Sequence, residues 1–363
     1  MEADQGSRVL STRDPDWDNF VIEAEGHDVF HTRPYMSLFE RHFGSPALLY
    51  VYGNERDYIA YPFFLRDLAR LPFFQDEDTL KGSSDIVSPW YYGGLLIHAS
   101  GDRERAALLT EFHRSFENFC RERQVVSEFG RLHPFLGSPE QLSKFHTIRT
   151  SGSVVYLDLR RSTECLWQDM TRSNRKRIRR CLDAGVLVVA DRSREVVDGF
   201  ADLYQGLMNR KGAGEFYLFP REFFDDLLSR FPLESRLLVA RYDDRIIAGL
   251  LLLGGGRFAH TYLSASDPGY LGLGPNNLLK WQGALLAGEM GHDYYLLGGG
   301  TDSLLAFKQS FSATAKDFSV YCRIYDPESY RRLTLLNSRY ALSRGETGAP
   351  KTFFFPEYRR GVP

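Results

Sequence analysis

The stretch Tyr294-Tyr-Leu-Leu-Gly-Gly-Gly-Thr-Asp-Ser-Leu-Leu-Ala-Phe-Lys-Gln-Ser-Phe311 reads as a strand, a glycine turn and a short helix. Apolar residues run into three glycines and a polar cap follows. Leu304, Phe307, Lys308 and Phe311 then fall at i, i+3, i+4 and i+7. That spacing puts Lys308 in the buried stripe of its own helix. A lysine there costs free energy unless its ammonium reaches water or a partner. Two readings are open: a snorkelling side chain, or a cation held for a carboxylate, a phosphate or a developing oxyanion.

Upstream of this stretch the elements alternate. Ser162 or Thr163 caps a long helix expected to reach Ala184, with Gly185 as its stop. A strand over 186–190 and helices over 195–210 and 221–230 follow. Three antiparallel strands come next, over 237–242, 245–253 and 257–264, turned at Asp243-Asp244 and Gly254-Gly-Gly256. A helix from Asn277 to Met290 leads back to the glycine stretch, and a strand over 318–324 closes the set. This order of elements resembles a GNAT-type acyltransferase domain.

The first half is a looser version of the same order. Residues 1–45 read as a helix-rich lead-in. Strands over 47–52 and 58–65 are joined by the hairpin connection Gly53-Asn-Glu-Arg-Asp57. Gly93-Gly94, inside the aromatic run Trp90-Tyr-Tyr92, marks either a bulge or a close approach of backbone or ligand. Arg103 to Arg123 is a helix with Leu108, Leu109, Phe112, Phe116 and Phe119 on one face. The expected architecture is therefore mixed α/β, with two tandem GNAT-like domains and a cleft between them. The domains are 1–155 and 156–325, and a tail, 326–363, packs back on the first. No repeat is visible in the sequence itself, so the duplication rests on element order.

Composition narrows the classes. The 363 residues carry 45 Lys and Arg against 47 Asp and Glu, so no global basic field points to nucleic acid. Cys120, Cys165, Cys181 and Cys322 are scattered, which fits a reducing compartment and no zinc site or disulfide framework. The polar, acidic start lacks a signal peptide's apolar core, and no window has the length of a membrane span. The cytoplasm is expected.

Arg172-Ser-Asn-Arg-Lys-Arg-Ile-Arg-Arg180 holds six basic residues in nine. At about 100° per residue, Trp167, Met170, Ile178 and Cys181 form one stripe, with Asn174 inside it and Arg177 at its edge. Arg172, Arg175, Lys176, Arg179 and Arg180 take the opposite face, as a solvated surface or a footprint for a phosphate backbone. Asn174 and Arg177 are expected to point inward, where an Asn must find hydrogen-bond partners and an Arg favours phosphate or carboxylate. On the third strand Phe258, His260, Tyr262 and Ser264 share a face by the period of two. His260 is either a satisfied core group or a proton carrier, and Tyr262 is the better candidate for proton transfer. Tyr270-Leu-Gly-Leu-Gly-Pro-Asn276 precedes a helix start and suits an anion. It matches the acetyl-CoA loop of GNAT enzymes poorly, because Tyr270 stands in the Arg/Gln place and Pro275 removes a donor.

Together these stretches resemble the Fem-type aminoacyltransferases and their GNAT-like relatives. The likeness is carried by Trp167…Asn174 to Arg180…Gly185-Val186, His260-Thr-Tyr262, Gly274-Pro-Asn-Asn-Leu-Leu-Lys-Trp281 and Gly298-Gly-Gly…Phe307-Lys308…Phe311, with a weaker echo at Tyr92-Gly93-Gly94. The resemblance implies transfer of an aminoacyl group from charged tRNA to an amine on a cell-wall precursor or a peptide-like secondary metabolite. It implies that Lys308 stabilises the developing negative charge and that Arg177 holds acceptor phosphate or carboxylate. With the residues read above, Lys308 and Tyr262 are the candidates for the chemistry, the amine proton falling to Tyr262, His260 or the substrate itself. Phe307, Arg177, Asn174, His260, Tyr92, Trp90 and Asn276 are the candidates for substrate, and Arg175, Lys176, Arg179 and Arg180 for tRNA. No metal or cofactor is implied. The chain departs from the large peptidoglycan members in lacking a heptad insertion, and hence a coiled-coil arm. The alternative on the same fold is an N-acyltransferase that uses acyl-CoA.

Overall fold

The computed structural model describes residues 6–24, 26–74, 80–345 and 353–362. In chain order the main elements are β1 (Ser7–Ser11), α1 (Trp17–Ile22), α2 (Arg33–Phe43), β2 (Ala47–Gly53), β3 (Tyr58–Asp67), β4 (Ser84–Val87), β5 (Leu96–His98), α3 (Asp102–Glu122), β6 (Val125–Arg131), α4 (Pro139–Leu142) and β7 (Thr147–Asp158). Then come α5 (Thr163–Asp169), α6 (Arg172–Asp183), β8 (Leu187–Ala190), α7 (Arg194–Arg210), α8 (Arg221–Arg230), β9 (Ser235–Tyr242), β10 (Arg245–Gly255), β11 (Phe258–Ser266), α9 (Pro275–Glu289), β12 (Tyr294–Gly298), α10 (Asp302–Gln309), β13 (Ala315–Ile324) and α11 (Pro327–Ser343). The chain forms two compact units, Met1–Ser151 with Phe318–Pro363, and Gly152–Asp317. The breaks fall inside β7 and β13. Residues 318–325 therefore join the first unit rather than the second, against the expected boundary.

Unit 1 orders its strands β1-β2-β3-β4-β6-β13, with β5 also on β3. Among the described strand pairs of this unit only β4 and β6 run parallel. The apolar face of α3 covers this sheet, as its spacing predicts, and buries Phe112 and Phe116 against Tyr50, Tyr61 and Phe63. The lead-in opens with a strand where helix was expected: β1 pairs antiparallel with β2. Much of the expected tail is helical, because Asp326 caps α11 at Glu328 and Ser329 and Pro327 suits a first turn. Residues 346–352, with Pro350, lie outside the described residues. Beyond them Tyr358 and Arg359 turn inward. The Asp85 carboxylate accepts from Arg66 Nε at 2.8 Å, Arg359 Nε at 2.6 Å and Tyr358 Oη at 3.0 Å. Gly93 is a close backbone approach, since a Cβ there would stand 2.8 Å from Ser88 Cβ and 2.7 Å from Pro89 Cδ.

Unit 2 orders its strands β7-β12-β11-β10-β9-β8. All neighbours run antiparallel except β11 and β12. On one face α6 and α9 cover the sheet, with Ile178, Cys181, Leu278, Leu279 and Trp281 packed against Leu250, Leu252 and Tyr295. The expected long helix over 162–184 is two helices. Met170 is extended and Thr171 starts α6 afresh by accepting from the Asn174 N–H. A threonine in a helical pattern competes as a cap, and here the cap wins.

Candidate functional site

The site of unit 2 grows from the place where β11 and β12 part. Their parallel pairing covers Phe258, Ala259 and His260 against Tyr294, Tyr295 and Leu296, and β11 then continues with β10 alone. Both strands are irregular at this point. The β10 pairing shifts so that Tyr262 has no direct partner, and β12 shifts register against β7 at Leu297. Bulges of this kind re-aim side chains and end pairing. Thr261 spans the start of the gap, its hydroxyl donating to the Leu297 carbonyl at 3.1 Å. The bulge also corrects the sequence expectation, because the period of two that put Tyr262 on the face of His260 breaks at Tyr262. Both side chains are buried.

The glycines after β12 hold Lys308. Gly298 and Gly300 have φ of +79° and +148°, conformations that favour glycine. The Lys308 ammonium donates to the Gly299 carbonyl. It lies so near that a Cβ on Gly298 would stand 3.1 Å from Nζ. The side chain is 9% exposed and pairs with no carboxylate among the described residues. Burial, and then the Lys211 charge, push its pKa down to about 8. Phe307 is half-buried in the same core. Leu304 is exposed, contrary to the stripe expected for this helix.

The buried asparagines tie three helices together. Asn174 of α6 donates to the Ser310 carbonyl at the end of α10 (3.1 Å) and accepts from Asn277 of α9 (2.7 Å). The Thr171 N–H donates to the same carbonyl. Asn174 thus spends its amide on positioning the Lys308 helix. Asn276 donates to Ser266 Oγ at 2.9 Å and fixes the start of α9 to the end of β11.

The basic helix divides differently from its helical-wheel placement. Arg177 is exposed, not turned inward, and its stem packs beside Gly274. Arg175 leaves the outer face and donates to the carbonyls of Gln168 (2.8 Å) and Met170 (2.7 Å), where α5 ends without partners for them. The kink after α5 made those acceptors available. Arg179 lies over the Trp167 ring at 5.5 Å. Arg172, Lys176, Arg177, Arg179 and Arg180 remain an exposed basic surface.

Tyr92 and Trp90 belong to unit 1. Tyr92 packs edge-on against His133, and Trp90 lends its carbonyl to the Tyr35 hydroxyl at 2.7 Å. The sequence reading passed over one residue of unit 2. Lys280, on α9, is 5% exposed, and burial followed by the Lys308 charge pushes it down to about 7. The signal was present in Leu278-Leu-Lys-Trp281, a lysine inside an apolar run.

Residues 168–309 match the family model described as an acetyltransferase (GNAT) domain. Among solved structures, FemX aligns with a TM-score of 0.68 at 13% identity, covering 91% of this chain and 99% of FemX. A conserved protein of unknown function from Bacteroides thetaiotaomicron gives 0.57 at 10% identity, covering 87% of this chain and 98% of its own. A tandem GNAT protein from the clavulanic acid biosynthesis pathway gives 0.52 at 12% identity, covering 88% and 99%. A sequence comparison with curated proteins finds no match. The class this defines is the GNAT-type acyltransferase fold, in two tandem units. Within that class the fold is similar to that of FemX, the likeness that the sequence motifs implied. Among the described residues of unit 2 no helix exceeds the 17 residues of α7, so no coiled-coil arm is present there.

Proposed function

We propose that this protein transfers an aminoacyl group from charged tRNA to the amine of a peptide-like acceptor, a secondary metabolite or cell-wall precursor. The observation that carries the reading is the seat of Lys308, a buried ammonium on the Gly299 carbonyl with no acid to neutralise it among the described residues. An aminoacyl ester is already activated, so the protein has to orient the amine and stabilise the oxyanion. The amine nitrogen attacks the ester carbon and the C–N bond forms beside Lys308. The bond to the ribose oxygen then breaks, and that oxygen takes up the amine proton. Tyr262 is the side chain we assign to that proton's path. Phe307, His260, Tyr92 and Trp90 remain our candidates for substrate contact. The amides of Asn174 and Asn276 are taken up in holding α10 and α9 in place.

Two further features support tRNA over CoA as the donor. The exposed basic surface of α6 suits a phosphate backbone. The start of α9 offers few N–H groups to a pyrophosphate. The Gly274 N–H donates to Leu271, Pro275 has none, and those of Asn277 and Leu278 turn to the Gly274 carbonyl. The reading calls for the cytoplasm, and among the described residues no helix is long and apolar enough to cross a membrane. The test is transfer from a mixture of labelled aminoacyl-tRNAs to a panel of amines, with acetyl-CoA in parallel. Label moving from tRNA to an amine is the expected result. Turnover with acetyl-CoA and indifference to tRNA would overturn the reading.

A further inference from the structure

Lys280 sits in the wrong company for a structural lysine. It lies three residues before Gly283, whose missing side chain lets α9 close on the sheet: a Cβ there would stand 2.4 Å from Tyr295 Oη and 3.0 Å from Leu250. Residues three apart share a helix face. Lys280 therefore faces the sheet, one turn nearer the start of α9. One turn earlier again, Asn276 reaches Ser266 at the end of β11. Lys280 is thus placed over the part of the sheet where β11 and β12 separate, the same opening that receives Lys308 at Gly299.

The groups around α9 do not neutralise it. They are Arg177 and Cys181 from α6, Tyr242 from β9, Tyr262 from β11, Tyr295 from β12, and Tyr270 and Asp267 from the turn before α9; His260, next to the α9-facing Ala259, takes the other face of β11. The single carboxylate in that set, Asp267, accepts from the Gly269 N–H at 2.8 Å. Tyr295 Oη, fully buried, meets no hydrogen-bond partner among the described residues. Lys308 is the charge that acts on Lys280, and it is of the same sign. Two buried cations without an acid are costly, and an anion between them would remove the cost.

We propose that Lys280 and Lys308 together form a subsite for one anionic oxygen group, carboxylate or phosphate, at the parting of β11 and β12. The inference deepens the function proposed above and rests on it for the place of Lys308 in the site. Near neutral pH the pair holds fewer than two protons, since Lys280 gives its proton up first and Lys308 then faces a neutral amine. An entering anion makes both ammonium forms favourable, so binding takes up a proton.

The experiment is calorimetric titration of the full chain with inorganic phosphate and, separately, with acetate. Two buffers of different ionisation heat are used, at a pH between about 7 and about 8. Uptake of a large part of one proton per bound acetate is expected, and with phosphate the same after its own near-neutral ionisation is subtracted. Lys280→Met should lower the uptake to the part that Lys308 takes and weaken binding about tenfold. Lys280→Arg, which stays charged, should bind with the uptake likewise lowered. Uptake undiminished in Lys280→Met, or a wild-type chain that binds neither anion, overturns the proposal. So does phosphate binding lost in Lys176→Ala/Arg180→Ala but kept in Lys280→Met, which would assign the anion to the basic helix. A chain that takes up anion and proton yet transfers no aminoacyl group keeps this inference and loses the proposed function. Aminoacyl transfer without anion-linked proton uptake does the reverse.

Discussion

The two units treat buried charge in opposite ways. In unit 1 Asp85 is 1% exposed and lies between Arg66 and Arg359. Burial pushes its carboxyl up, but the two guanidinium groups outweigh that and hold it below the usual range. Glu128, also buried there, accepts from Tyr61 and Tyr325 at 2.6 Å each and meets His146 Nε2 at 3.0 Å. In unit 2 the Lys308 ammonium donates to the Gly299 carbonyl, and Lys280 is buried within reach of a charge of its own sign. A buried charge with partners is explained by the fold that supplies them. One without partners is carried at a cost in stability, and the cost points to a substrate.

The largest expected effect tests the paired side. Asp85→Ala removes the carboxylate that Arg66 and Arg359 donate to in unit 1 and should cost about 3–5 kcal/mol, read from chemical unfolding. A loss no greater than that of a surface substitution would break the comparison. Next comes Lys308→Ala, expected to keep the fold and the unfolding midpoint while turnover falls about 10²–10³-fold. Unchanged turnover removes Lys308 from the mechanism.

Smaller effects sharpen the contrast through pH. Burial raises the Glu128 carboxyl, but His146, Tyr325 and Tyr61 pull it down to about 2. Its contribution is present above the ordinary glutamate value of about 4.3 and is lost as pH falls toward 2. Glu128→Gln should cost about 1–3 kcal/mol at neutral pH and flatten that acid limb. Lys280 has the opposite sign. Its folded value, near 7, lies below the unfolded value of about 10.4, so the unfolded chain binds the extra proton in that window and stability rises with pH across it. Lys280→Met should lose that part of the rise and be the more stable form below about pH 7. Urea midpoints at about pH 6 and about pH 9 decide the matter; a Met variant that follows the wild-type slope would deny that Lys280 is buried as an amine.

Much of this was legible in the sequence, because the signals were local. The α3 stripe, the three-strand meander and the strand–glycine–helix stretch around Lys308 follow from periodicity and turn chemistry. The misreadings trace to cooperation between neighbours. A helical wheel drawn through residues 162–184 assumes one axis. Thr171 breaks it, so Arg175 turned to carbonyls that an unbroken helix would have satisfied and Arg177 turned outward. The period of two along residues 258–264 fails at a bulge that only the partner strand defines. Lys280 was missed for another reason. Its helix is apolar almost all round, and a lone lysine there shows its meaning only beside Lys308.

The make-up of unit 1 has a consequence for synthesis. Its sheet takes β13 from beyond residue 317, and its buried Asp85 waits for Arg359. A ribosome therefore delivers all of unit 2 before it delivers the pieces that complete unit 1. Through most of translation the first unit to emerge holds an exposed strand edge and an acid short of a partner. The second is one unbroken segment and waits for no later piece of the chain.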